Sequence, residues 1–382
     1  MEQDWIALTD PDISSYELAA VTDVLKSSRL SAGPLAERFE AEFAESLGRR
    51  YGIAVSSGTA GLMVSLRALG IGPGDEVIAS AYSWHQIANA IVLVGATPVF
   101  ADIDYWSGTL AVDKAEAKIT PHTRAIVVGN TNGHPAAWAP FRALAEAHGV
   151  KLIEDSTEAI GSRYQGKLVG TFGDLSIFDF SQPSAMVCGE GAMIVTDDPD
   201  LASELYYHRS RGLDERFSVS IGSRVAHQAS ISDMTAALGL AQLERLDEIL
   251  VRRKRVESYY SQYIQSFEGI KPSYIAPEVD EVHWMVYVIH LGTRFTRSAR
   301  NQIVDDLATA EIEGAAYCNP LHLNYFYGTL GYKKGNLFVT EKVADRSLAL
   351  PFHGHLYDDT IEFIVTTAKD SSINVGAGAA IY

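Results

Sequence analysis

The chain has 382 residues, 47% hydrophobic and 21% charged, enough for a large core and about two to three domains of ordinary size. Its formal net charge of −17 opposes nucleic acid and anionic membranes as partners, because binding to either depends on basic patches. Cys188 and Cys318 are too few for a disulfide framework and lack the clustered partners of a metal site, and neither a signal-like start nor a run of about eighteen apolar residues occurs, so the sequence predicts a cytoplasmic protein with reduced thiols and no metal.

Short apolar, β-branched runs alternate with amphipathic segments from about Gly52 to Val195, the pattern of an α/β domain with a mainly parallel sheet between helices. Predicted strands are Ile53 to Val55, Glu76 to Ala79, Thr97 to Ala101, Ala125 to Val128, Lys151 to Glu154, Leu175 to Phe178 and Ala192 to Val195. Helical stretches such as Gly61 to Leu69 and Ala139 to His148 separate most of them. In open α/β sheets ligands gather beyond the carboxyl ends of strands, so the loops beginning at Ser56, Ser80, Asp155 and Asp179 are expected to converge on one crevice. From Ser230 to about Phe267 the spacing predicts one long helix with Ser232 or Asp233 as N-cap. Beyond it, the strand-like VHWMVYVIHL and the amphipathic Ser298 to Ala308 predict a smaller α+β domain, and SSINVGAGAAIY reads as a weakly ordered tail. The expected division is a large domain over 1–245 and a small one over 246–382.

SSGTAGL from Ser56, YSWHQIANAI from Tyr82, HGVKLIEDSTEAIGSRYQGK from His148, GTFGDLSIF from Gly170, GEGA from Gly189, AALGLAQLERLDEI, NPLHL and LALPFH occur in the order seen in the DegT/DnrJ/StrS family of sugar and cyclitol aminotransferases. The chain resembles that family over about residues 10 to 365. The resemblance implies aminotransferase fold type I. It also implies a site for pyridoxal phosphate (PLP) in which Gly58 and Thr59 open the helix that holds the phosphate, Trp84 stacks on the pyridine ring and Asp155 pairs with the ring nitrogen. Because the family's pocket needs two chains, a homodimer is expected, with Gln228 in place of the asparagine that reaches the partner's phosphate.

Departures from the family pattern bear on the chemistry. In FDFSQPSAMVCGEG, spaced as the family signature from Phe180 to Gly189, Ser184 falls on the position of the cofactor-anchoring lysine, and no lysine occurs between Lys167 and Lys254. A serine hydroxyl cannot replace that amine either as covalent anchor or as base. Asp179 replaces a serine that donates to the phosphate, Glu158 replaces a glutamine that supports the ring hydroxyl, and Ala229 and Ser230 remove a Tyr-Arg pair. His85 stands beside Trp84. Crowded carboxylates raise one another's pKa, so Glu158 and Asp179, with His85 and Ser184, are the candidate catalytic groups for acid/base work.

The reading that follows is an enzyme without bound cofactor that dehydrates, cyclises or isomerises a natural-product or sugar-like small molecule, cationic or aminated in character. The alternatives are a dehydratase or aminotransferase using PLP or pyridoxamine phosphate (PMP) bound non-covalently, and a silent partner subunit of a competent paralogue. Cys188, beside Gly189, reads as a small buried residue rather than a nucleophile.

Overall fold

The computed structural model describes residues 5–210, 226–265 and 270–379. Its frame is a seven-stranded sheet in the order β1-β9-β8-β5-β4-β2-β3, built from β1 (Tyr51–Val55), β2 (Glu76–Ser80), β3 (Thr97–Ala101), β4 (Thr123–Gly129), β5 (Lys151–Asp155), β8 (Leu175–Asp179) and β9 (Ala192–Thr196). All seven predicted strands are present, each within two residues of its expected ends. Pairings from β3 across to β8 are parallel, while β9 runs antiparallel to both β8 and β1. The fold class is therefore α/β with a mostly parallel central sheet.

Alternation along the strands explains why helices cover both faces. Val77 and Ala79, Ala125 and Val127 pack into one apolar layer with Leu62, Ile87 and Leu205, from the helices α3 (Gly58–Ala68), α4 (His85–Leu93) and α7 (Pro199–Arg209). Ile78, Ile126 and Val128 point the other way, onto Trp138 and Phe141 of α6 (Trp138–His148). With a side-chain period of two, each strand carries two apolar stripes, which is the signature of a sheet buried on both sides. The remaining helices of the first half are α1 (Ser15–Leu25), α2 (Pro34–Leu47) and the short α5 (Val112–Glu116).

The expected long helix is two helices, α8 (Asp233–Glu244) and α9 (Leu246–Ile264), separated at Arg245; Ser232 is the N-cap, its side chain accepting from the Thr235 N–H. The expected extension to Phe267 lies outside the described residues. Past α9, an antiparallel sheet runs β10-β12-β14-β13, formed by β10 (Ile270–Pro272), β12 (Tyr287–Leu291), β13 (Ala315–Ala316) and β14 (Ser347–Leu350). The helix α10 (Arg297–Thr309) covers it. The VHWMVYVIHL segment is strand only from Tyr287; its first half crosses to the large sheet, where the Met285 and Val286 N–H groups donate to Asn132. A three-stranded sheet joins β6 (Arg163–Tyr164) and β7 (Lys167–Leu168) to β11 (Val279–Glu281).

The expected loose tail is corrected by the structure. The C-terminal helix runs from Asp358 to Ala379, and Ser371 and Ser372 are buried, with the Ser371 hydroxyl donating to Asp306 of α10. Among the described residues no helix is long and apolar enough to cross a membrane.

Candidate active site

Beyond the carboxyl ends of β1, β2, β5 and β8 the polar loops gather as expected. β5 ends on two acids that point to opposite faces. Glu154 is fully buried and accepts from Asn130 Nδ2, Ser156 Oγ and the Gly170 N–H with one oxygen, and from Phe172 N–H, Gly173 N–H and Ser176 Oγ with the other. That acid is a structural hub. Its neighbour Asp155 faces the crevice, buried, with Oδ1 accepting the Thr157 N–H at 3.1 Å. Burial pushes the Asp155 carboxyl up to about 6; hydrogen bonds from Thr157 oppose the shift, and the charges of Asp179 and Glu154 add to it.

Glu158, three residues further on, is the focus of donors from two directions. Its Oε2 accepts from the Asn132 N–H and from the Tyr317 hydroxyl. Burial carries the Glu158 carboxyl up to about 7, against these two donors and with help from the charge of Asp155. Two acids with pKa values near 6 and 7 in one crevice can hold and pass a proton at neutral pH. Tyr317 is itself fixed by the Tyr82 hydroxyl, which donates to its carbonyl at 2.8 Å, and by edge contact of the two rings.

Asp179 ends β8 and lies against the first turn of α3. Its Oδ2 accepts the Gly58 N–H at 2.7 Å, and its Oδ1 accepts the Ser181 N–H at 2.8 Å and the Ser181 hydroxyl at 2.6 Å. Thr59, the next residue of α3, is half-buried. Trp84 is the N-cap of α4 and packs beside Tyr82 and Tyr317.

His85 is exposed on the first turn of α4, and Gln228 is exposed beside Ala229, whose carbonyl accepts the Ser56 N–H at 2.7 Å. Ser184 is half-buried in the loop between β8 and β9, its Oγ accepting the Met186 N–H at 3.3 Å. Cys188 is buried and its thiol is pushed up by that burial, the setting of an inert thiol. Asn132 and Tyr317 were missed from the sequence. Asn132 sits in an Asn-Gly turn with φ 50°, a signal of a turn rather than of a site, and Tyr317 lies just ahead of the NPLHL motif.

The model of the DegT/DnrJ/EryC1/StrS aminotransferase family matches residues 11–369. GDP-perosamine synthase of Caulobacter vibrioides is 34% identical over 364 residues, covering 94% of this chain and 96% of that protein. The spore coat polysaccharide biosynthesis protein SpsC of Bacillus subtilis is 33% identical over 374 residues, covering 94% and 95%. Among solved structures, Spr1654 from Streptococcus pneumoniae in its PMP form superposes with a TM-score of 0.92 at 26% identity, covering 98% of this chain and 100% of that one.

These similarities overturn the expectation of cofactor-free dehydration, cyclisation or isomerisation. A match to an aminotransferase family over nearly the whole chain, and to a PMP-carrying structure, points to PLP-dependent amino transfer, hence a transferase rather than a lyase or isomerase. Ser184 at the anchoring position does not alter that match, which runs through residues 11–369. Ordered motifs, sheet topology and end-to-end similarity agree, and the chain belongs to the DegT/DnrJ/EryC1/StrS aminotransferase family.

Proposed function

We propose that this chain binds PLP or PMP without covalent attachment and transfers an amino group to or from a sugar-like carbonyl compound. The observation that carries the reading is Asp155: a buried carboxyl at a strand end, held near 6 by burial, that a protonated pyridine nitrogen would return to its ionised form. At the other end of the crevice the first turn of α3 presents backbone N–H groups of the kind that meet oxyanions at helix N-termini, with the Asp179 carboxylate resting 2.7 Å from the Gly58 nitrogen.

When bound, the cofactor supplies the amine and an electron sink. The protein supplies position and protons. Asp155 holds the ring nitrogen, Trp84 offers a flat face to the ring, and Glu158, fixed by Tyr317 and Asn132, gives or takes a proton at the ring hydroxyl or the substrate. Asp155, Glu158 and Asp179 together favour a substrate that itself carries an amino group. We read the active form as a homodimer, with the exposed Gln228 facing the second chain, and place the domain boundary at Arg245.

Ser184 favours a second reading, PMP-dependent dehydration of a sugar, because a serine leaves no covalent anchor. One experiment separates the two. The protein is mixed with PMP and a nucleotide-linked keto sugar, and the cofactor spectrum and sugar mass are followed. Amino transfer converts PMP to PLP as the sugar gains an amine; dehydration removes water from the sugar. Asp155→Asn is expected to slow either conversion by about tenfold or more, roughly 1.4 kcal/mol. A full wild-type rate in that variant would exclude Asp155 as the ring partner.

A further inference from the structure

We propose that Asp179 is a built-in occupant of the cofactor's phosphate position, so that the site takes up the cofactor as a dissociable co-substrate and scarcely prefers its phosphorylated form. This rests on the cofactor reading above and deepens it.

Three features of the carboxylate support the assignment. It is not needed as a helix cap, since Ser57 already caps α3, its Oγ accepting the Ala60 N–H at 3.2 Å. Asp179 is a second acceptor, brought from β8 to the Gly58 N–H, one of the first-turn donors that an incoming anion would meet. It is also clamped rather than loose: the two Ser181 donors hold its other oxygen, and its own N–H donates to Thr157 Oγ1 at 3.1 Å. Finally, the approach is possible only because residue 58 is glycine. A Cβ there would lie 2.4 Å from Asp179 Oδ2, so the helix start and the carboxylate fit as a pair.

A phosphate reaching the Gly58 N–H must therefore displace Asp179 or lie against a like charge. At about 4 Å and an effective dielectric near 20, that repulsion is large enough to cancel a preference on the order of a hundredfold for the phosphorylated cofactor. The ring end is unaffected, because Asp155 and Trp84 bind the same ring in either form. With Ser184 at the anchoring position, both ordinary tethers are altered, the covalent one and the ionic one. The cofactor then enters, reacts and leaves with the substrate, and an enzyme with a lysine-held cofactor, or a supply of PMP, must recharge it.

The test uses the full chain, wild type and Asp179→Ser, with Asp179→Asn to keep the shape while removing the charge should the serine variant fold poorly. Inorganic phosphate at matched ionic strength probes the anion position alone by thermal shift. PMP and pyridoxamine probe the whole site by titration calorimetry. In the wild type, phosphate is expected to leave the melting temperature nearly unchanged and the two amines to bind within about threefold of each other. In the variants, phosphate should raise the melting temperature and PMP should bind on the order of a hundredfold more tightly than pyridoxamine. Equal stabilisation of all proteins by phosphate, or a hundredfold PMP preference in the wild type, would overturn the proposal. If neither amine binds any of the proteins, the cofactor reading fails instead, while the phosphate arm still decides the role of Asp179.

Discussion

At the level of single side chains, the crevice is defined by acids whose behaviour depends on burial. The folded pKa of Glu158, about 7, exceeds that of an unfolded glutamate. Between the two values the folded chain holds more protons than the unfolded one, so this group's contribution to stability is full at low pH and is lost as pH rises through about 7. Glu158→Gln removes that slope. The ligand-free wild type is expected to lose melting temperature more steeply than the variant between about pH 5 and 7.5, and parallel curves would show that Glu158 titrates as an ordinary surface acid. The sequence made Asp155, Glu158 and Asp179 legible as one cluster because each follows a strand that ends on the same side of the sheet. It could not show their partners. Tyr317 reaches Glu158 across 159 positions of chain, and Asn132 contributes a backbone N–H, which no residue type advertises. His85, the residue after Trp84, is exposed on the first turn of α4.

Among the elements, helix starts were easier to read than helix breaks. Ser57 and Ser232 are both caps with side chains accepting from the third residue on, and Ser57→Ala is expected to lower stability by about 1 kcal/mol, measured by denaturant titration. A change under a few tenths would mean that Asp179 alone suffices at that helix end. The break between α8 and α9 has no glycine or proline to announce it. It falls at Arg245, whose guanidinium reaches back to Asp12 at 3.0 Å and to Glu17 on α1, so a tertiary ion pair, invisible to periodicity, marks the point where one helix becomes two. The strands show the opposite case: apolar runs bounded by polar residues gave their positions to within two residues, because burial on both faces leaves few other places for such runs.

For the molecule as a whole, the tail is the clearest case of context overriding composition. Small residues and two glycines suggested coil, yet residues 371–379 continue the C-terminal helix, with Ser371 and Ser372 buried and the Ser371 hydroxyl on Asp306 of α10; residues 380–382 lie outside the described residues. Deleting residues 371–382 is expected to cost about 1–3 kcal/mol of stability through lost packing and the lost hydrogen bond from Ser371 to Asp306, seen as a lower urea midpoint; an unchanged midpoint would return the segment to the status of a dispensable tail. The fold and the position of the crevice could be argued from motif order alone, whereas the reaction could not, since the substitutions at 158, 179 and 184 alter charge without revealing what compensates them.

The paired ends of β5 carry one more consequence. Glu154 and Asp155 are chemically near-twins, told apart only by which side of the sheet each one faces. Deleting a single residue from Lys151 to Ile153 would draw Asp155 into the place of Glu154, leaving the shorter acid to answer six donors it cannot span, while Glu154 fell into the apolar layer at the place of Ile153 and Ser156 took the strand end that faces the crevice. The strand thus acts as a reading frame for the site, and a shift of one step should disrupt folding and ligand binding together, where substituting Asp155 by asparagine is expected to weaken only the second.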